Sequence, residues 1–234
     1  MKILLIVPAY NEQDSIINTL QDIQEHADFA DFIVINDCST DATREILRKS
    51  GFNYLDLPVN LGIGGGVQTG YRYALDNGYD IAIQFDGDGQ HCAAYIADLI
   101  APIVSGEADF TIGSRFLKKE GFQSSGIRRM GIHFLSTLIH MLCGTKVYDV
   151  TSGMRAVNRK LIVYFAENYA QDYPEPEAIL SASLAGAKIQ EVPVQMRERS
   201  GGVSSISAVK SIYYMIKVSL ALIISWITYG GKKQ

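Results

Sequence analysis

At 234 residues with 47% apolar side chains, the chain can build one sizeable core, and α/β folds reach this length as single units. A formal net charge of −4 excludes nucleic-acid binding as the main activity, because no overall positive field gathers phosphates. Three cysteines, Cys38, Cys92 and Cys143, are odd in number and lack a C-x-x-C pair, which excludes a disulfide framework and a zinc site and fits a reducing cytosol. Lys2 and the apolar run after it resemble the start of a signal segment, but Asn11-Glu12 ends the run too soon, so export is not expected.

The first half alternates short apolar runs with helical stretches. Strands are predicted over Ile3–Val7, Phe32–Asn36, Tyr54–Leu57, Ile81–Phe85 and Asp109–Ile112. Between them, helices are predicted over Asp14–His26, Asp41–Lys49, Gly66–Asn77 and a segment ending near Pro102. This alternation implies a Rossmann-like, mostly parallel sheet with helices on both faces, whose ligands sit at the carboxyl ends of the strands. Tyr10-Asn11-Glu12, Asp37, Asn60 and the pair Asp86/Asp88 would then gather along one edge. After Ser124 the pattern becomes a helix over Gly126–Leu142, an irregular stretch, a helix starting near Tyr173, and a period-2 strand over Lys188–Val194. The expected division is a catalytic domain over 1–205, with a donor half to about 115 and an acceptor half from about 116, followed by an apolar helix over 206–234.

The run Phe85-Asp86-Gly87-Asp88-Gly89-Gln90-His91 carries the most chemistry. Strand side chains alternate faces, so carboxylates at i and i+2 converge as the chain leaves the sheet. Two carboxylates that close repel unless a cation lies between them, and the flanking glycines leave room for a phosphate. The pair reads as half of a Mg²⁺ or Mn²⁺ site completed by substrate oxygens. A Gly-Asp hairpin turn is the structural alternative. An EF-hand is excluded, because with Asp86 as position 1 the glycine position is His91 and the glutamate position is Ala97. Gly62-Ile63-Gly64-Gly65-Gly66 lacks the last glycine of the Rossmann pattern, having Val67 there, and lacks the Gly-Lys-Ser/Thr of a Walker loop. These glycines let the backbone approach a nucleotide, or simply form a turn.

Six segments occur in order: Val7-Pro8-Ala9-Tyr10-Asn11-Glu12, Asn36 to Asp41, Asn60-Leu61-Gly62, Asp86 to His91, Gly113-Ser114-Arg115, and Thr151-Ser152-Gly153. Together they make the chain resemble a family 2 glycosyltransferase of the GT-A fold, most similar to dolichyl- or polyprenyl-phosphate sugar synthases. The resemblance implies that Pro8, Tyr10, Glu12, Asp37, Gly62, Asp86, Gly87 and Asp88 hold a nucleotide-sugar. It also implies that Asp86, Asp88 and Gln90 hold the metal and diphosphate. Arg115, Arg128, Arg129, Arg199 and Ser204 are implied for the acceptor phosphate, a role that suits the planar guanidinium fork. Asp88, Arg115 and Asp149 are the implied catalytic residues, Asp149 as a base or acceptor-orienting acid. Arg155 would pair with Asp149 or stabilise its loop, and His91 would open the next helix. Two departures each remove a positive charge: relatives often have lysine where this chain has Ile63, and their Ser-Lys pair is here Ser204-Ser205.

The expected reaction is therefore inverting, metal-dependent transfer of a sugar, from a UDP-sugar by preference, to a polyprenyl phosphate at the cytoplasmic face of the cell membrane. One alternative is transfer to a hydroxyl of a lipid-linked or cell-wall glycan, with Asp149 or Glu177 as base. Another is a non-catalytic nucleotide-sugar binding module. The stretch Ser211 to Tyr229 has one charge, Lys217, in 19 residues, about 28 Å if helical and marginal against a ~30 Å bilayer core. It is expected to lie in the membrane interface or against a small membrane protein, with a marginal span, a core helix or a homo-oligomer contact as alternatives.

Overall fold

The structure, a computed structural model, describes residues 1–118, 126–197 and 208–230, without the side chains of 127–128, 208–212 and 229–230. The apolar runs become strands β1 (Ile3–Ala9), β2 (Asp31–Asn36), β3 (Tyr54–Asp56), β4 (Ile81–Gln84), β5 (Phe110–Ser114), β6 (Arg155–Asn158) and β7 (Ile189–Pro193). They form one seven-stranded sheet in the order β3-β2-β1-β4-β6-β5-β7, parallel throughout except for β6, which runs antiparallel to β4 and β5. The mostly parallel sheet agrees with the sequence expectation. β6 was not anticipated, since four residues beginning with an arginine show no apolar run.

Helices α1 (Ile16–His26), α2 (Thr43–Ser50) and α4 (Ile96–Val104) follow β1, β2 and β4; α3 (Gly62–Asp76), α5 (Gly126–Cys143), α6 (Arg159–Glu167), α7 (Pro174–Leu184) and α8 (Ala208–Gly230) complete the described elements. β1 shows the period-2 logic directly. Leu4 and Ile6 enter one core cluster with α3 and α6, while Ile3, Leu5 and Val7 enter a second with α1 and α4. Both faces are covered, so all seven residues of β1 are buried.

The glycine run lies inside α3 rather than before it. Glycine costs about 1 kcal/mol per helical position relative to alanine, which hides the helix from a propensity reading. Close packing demands it: a Cβ on Gly64 would sit 2.2 Å from the Ala170 carbonyl oxygen, and one on Gly70 would sit 2.2 Å from Ile6 Cγ2.

α8 packs against α5 and α7, and its Val218 and Leu222 are fully buried in the cluster shared with those helices. Tyr214 meets the Tyr173 ring edge-on at 5.4 Å, and Ser225 Oγ donates to Glu177 Oε2 at 2.9 Å. Among the described residues no helix is long and apolar enough to cross a membrane. The marginal span is corrected accordingly: lysine, serine and tyrosine within Ala208–Gly230 dilute its apolar content.

Candidate active site

The chain runs β1-β2-β3 outward to one side and then returns to place β4 on the other side of β1. The carboxyl ends of β1 and β4 therefore flank a topological switch point, where open α/β sheets leave a crevice. A cleft of about 350 Å³ lies there, lined by Pro8, Ala9, Tyr10, Glu12, Asp37, Asn60, Gly62, Ile63, Gly66, Asp86, Gly87 and Asp88. All eight residues expected to hold a nucleotide-sugar are in this lining.

Local chemistry holds the rim. Asn11 and Cys38 adopt positive φ, both 57°, at the turns leaving β1 and β2. That conformation costs a non-glycine residue about 1–2 kcal/mol. Asn11 offsets it in part, because its Oδ1 accepts from the Thr40 and Asp41 N–H groups at 2.8 and 3.3 Å and ties the two turns together. Asp37 is buried, and its Oδ1 accepts the Leu61 N–H at 2.7 Å just before the first turn of α3. Glu12 Oε2 accepts from Ser15 Oγ at 2.8 Å, while Tyr10 stands 47% exposed at the mouth, a face open for stacking.

The carboxylates are positioned from several sides. Gly87 N–H donates to Pro8 O at 3.2 Å, continuing the β1–β4 pairing, and Ser15 and Thr19 hydroxyls lie 2.9 and 3.2 Å from Gly87 O. Asp86 Oδ1 accepts from Gln84 Nε2 at 3.2 Å, and Gln84 Oε1 accepts from the buried Tyr169 hydroxyl at 3.2 Å. His91 Nδ1 accepts the Asp86 N–H at 3.3 Å, its Nε2 lies 3.6 Å from Asp86 Oδ2, and its ring meets Phe85 edge-on. Gly153 lies directly under Asp86, where a Cβ would fall 2.1 Å from Oδ2. Asp88 Oδ1 accepts the Gln90 N–H at 3.0 Å; Gln90 itself is outside the cleft lining.

This donor set fits a divalent cation of the magnesium or manganese kind. Asp86 and Asp88 reach one cleft, and among the described residues no group of three or more His, Cys, Asp or Glu is placed to enclose a metal.

The remaining expected residues lie apart from the cleft lining. Asp149 is fully buried and takes a two-pronged bond from Arg115, Nε to Oδ2 at 2.7 Å and Nη2 to Oδ1 at 2.6 Å. Glu191 accepts the Tyr148 and Asp149 N–H groups at 2.9 and 2.8 Å, and burial holds its carboxyl above the usual range. Arg115 also stacks on Phe116 at 5.3 Å, and Arg129, exposed at the start of α5, stacks on the same ring at 5.4 Å. Arg199 and Ser204 lie outside the described residues, as does the side chain of Arg128. Arg155 stabilises the loop rather than bonding Asp149: it donates to the carbonyls of Val150, Ser152 and Glu175, tying the Gly153 loop to the start of α7.

Three contributors escaped the sequence reading: Ser15, Thr19 and the Tyr169–Gln84 link. Gln84 was visible as a polar residue in an apolar strand, but its partner is 85 positions away. Glu175, at the first turn of α7, has its carboxyl held above the usual range by burial, with Arg155 opposing and the Asp86 charge adding.

A family model described as Glycosyl transferase family 2 matches residues 4–165. A UDP-N-acetylglucosamine–dolichyl-phosphate N-acetylglucosaminyltransferase of Methanococcus voltae is 30% identical over 82% of this chain and 84% of its own length. An undecaprenyl-phosphate mannosyltransferase of Micrococcus luteus is 28% identical over 88% of each chain. The glucosyl-3-phosphoglycerate synthase of Mycobacterium tuberculosis, solved with Mn²⁺, UDP-glucose and phosphoglyceric acid, matches with a TM-score of 0.71 at 19% identity, covering 100% of this chain and 81% of that one. At that identity the likeness establishes the GT-A fold.

Proposed function

The chain belongs to glycosyl transferase family 2, and on that premise we propose that it transfers a sugar, with inversion, from a UDP-sugar to a polyprenyl phosphate at the cytoplasmic face of the membrane. The observation that carries this reading is the gathering of Tyr10, Glu12, Asp37, Asp86 and Asp88 in one cleft at the β1–β4 switch point. Tyr10 stacks on the base, Asp37 and Glu12 accept hydrogen bonds from base and ribose, and Asp86 and Asp88 hold Mg²⁺ or Mn²⁺. That cation, when bound, supplies the charge that offsets the leaving diphosphate.

The acceptor requires little from the protein beyond placement. A phosphate monoester has a second pKa near ~6, so its oxygen is largely an anion at neutral pH and needs docking more than deprotonation. A glycan hydroxyl would need a free carboxylate base. Asp149 is locked against Arg115 in the interior, and Glu177 is bonded to Ser225, so neither favours that acceptor. Arg129 stands exposed near the Arg115–Phe116 stack and is the described arginine best placed to meet an incoming phosphate. The relatives' names support the acceptor class, each being a transferase to a dolichyl or undecaprenyl phosphate.

The test incubates membranes containing the protein with a panel of labelled nucleotide-sugars and undecaprenyl phosphate, with and without Mn²⁺, beside the Asp88→Asn variant. One labelled lipid that depends on cation and is lost in the variant is expected. Label in a glycan hydroxyl, or equal transfer by Asp88→Asn, overturns the reading.

A further inference from the structure

Gln84 ends β4, a strand otherwise apolar, and it is fully buried. A buried amide is costly unless both of its ends are bonded. Both are: Nε2 donates to Asp86 Oδ1 and Oε1 accepts from the Tyr169 hydroxyl, each at 3.2 Å. The Tyr169 ring is held edge-on against Tyr71 and Phe165 at 5.3 and 5.2 Å, which fixes where its hydroxyl stands. Burial keeps the proton of that hydroxyl well above the ordinary phenol range, so it donates at any working pH.

The segment carrying Tyr169 comes this close because α3 has glycine where the two meet. A Cβ on Gly64 would stand 2.2 and 2.4 Å from the Ala170 and Gln171 carbonyl oxygens. Gln171 Nε2 then ties the segment down, donating to Gln68 Oε1 on α3 at 2.9 Å and to the Tyr169 carbonyl at 3.0 Å. The glycine run, which matches no nucleotide-loop pattern, thereby gains a place in the site. Its consequence lies in rotation. A carboxylate turns readily about its last bond, and so does an amide, because both torsions are broad. Gln84 turned over would set Oε1 against Asp86 Oδ1, oxygen against oxygen, and the Tyr169 donor holds it the other way. On its other side Asp86 Oδ2 is bounded by Gly153 and by His91 Nε2 at 3.6 Å.

We infer that Tyr169 is a positioning residue for the cation site: acting through Gln84, it fixes the rotation of the Asp86 carboxylate and so sets the affinity of the cleft for Mg²⁺ or Mn²⁺. Tyr169 is not in the cleft lining, so its effect passes through Gln84 rather than through contact with a ligand. This deepens the proposed function and rests on its reading that Asp86 and Asp88 hold a cation.

The experiment titrates Mn²⁺ alone into the full-length protein and follows the free ion by electron paramagnetic resonance, beside melting curves. Tyr169→Phe keeps the ring and removes the donor. Mn²⁺ should bind about ten- to a hundredfold more weakly, and the melting temperature should fall because Gln84 Oε1 is left buried without its partner. Adding Gln84→Leu removes both polar groups, so the melting temperature should recover while the Mn²⁺ defect stays. That split separates positioning from folding, and the double variant serves if Tyr169→Phe alone does not fold. Tyr79→Phe removes a hydroxyl bonded to Asp31 at 3.0 Å, away from the cleft, and should leave Mn²⁺ affinity as in the parent. Parent-like affinity in Tyr169→Phe, or affinity that recovers together with melting temperature in the double variant, overturns the proposal. Asp88→Asn distinguishes this failure from that of the underlying reading. Parent-like Mn²⁺ binding in Asp88→Asn overturns the cation site itself, whereas its loss there beside intact binding in Tyr169→Phe overturns only the role of Tyr169.

Discussion

At the scale of single residues, the cleft depends on what is missing as much as on what is present. Gly153 supplies no functional group; its contribution is the space through which the Asp86 carboxylate passes, 2.1 Å from where a Cβ would stand. Its neighbours cannot yield easily, because Arg155 pins the loop through the Val150 and Ser152 carbonyls. Gly153→Ala should therefore displace Asp86 rather than the loop. A displacement of about 1 Å in a reacting constellation costs on the order of 10²-fold in rate. The expected result is a loss of that size in transfer, with weaker binding of Mn²⁺ and nucleotide by calorimetry and an unchanged circular dichroism spectrum. Full activity in Gly153→Ala would sink the assignment of Asp86. The buried Arg115–Asp149 pair acts differently. Breaking a buried ion pair costs about 3–5 kcal/mol by leaving the other charge uncompensated, so its variants report on folding before they report on catalysis.

At the scale of elements, α7 and α8 are joined through a titrating group. Burial raises the Glu177 carboxyl above its ordinary value of 4.5, with the Asp172 charge adding and the hydrogen bond from Ser225 opposing. The folded protein thus holds this proton to higher pH than the unfolded chain does. In the window from about 4.5 up to the raised value the native state binds more protons, so this group's contribution to stability falls as pH rises. Glu177→Gln keeps a partner for Ser225 and removes the charge. The difference in melting temperature, variant minus parent, should be more positive at about pH 8 than at about pH 5. Melting curves at the two pH values decide it; a difference that is constant or reversed shows that Glu177 is ionised freely in the fold.

At the scale of the whole molecule, the C-terminal helix belongs to the same core cluster as the sheet. Val218 and Leu222 are both fully buried, and burial of such side chains is worth about 1.5–3 kcal/mol each. Deleting 208–234 removes both and uncovers α5 and α7, a loss of roughly 3–6 kcal/mol against a total stability of about 5–15. For a chain of this size that is a fall of about 6–24 °C in melting temperature. The nucleotide cleft is built from the ends of β1, β2 and β4 on the other half of the sheet order, so UDP binding measured well below the new midpoint should stay within about threefold of the parent. Retained melting temperature with lost UDP binding would reverse both expectations.

Much of this was legible without coordinates, because it depends on local pattern. Continuous short apolar runs in Ile3–Ala9 and Ile81–Gln84 and the polar residues after them are set by neighbours in the chain, so the parallel strands and the gathering of Tyr10, Asp37, Asp86 and Asp88 followed directly. What the sequence could not settle were contacts between distant segments. The glycines of α3 are explained by Ala170 and Ile6, Gly153 by Asp86, and the polar Gln84 by Tyr169. Arg115 and Asp149, 34 positions apart, read as separate site groups until folding buried each against the other. The amino-acid sequence alone determined the fold class and the residues of the cleft, since periodicity and strand ends are properties of consecutive residues. Only the tertiary structure decided which charged groups remain available, because burial and pairing are properties of the packed chain.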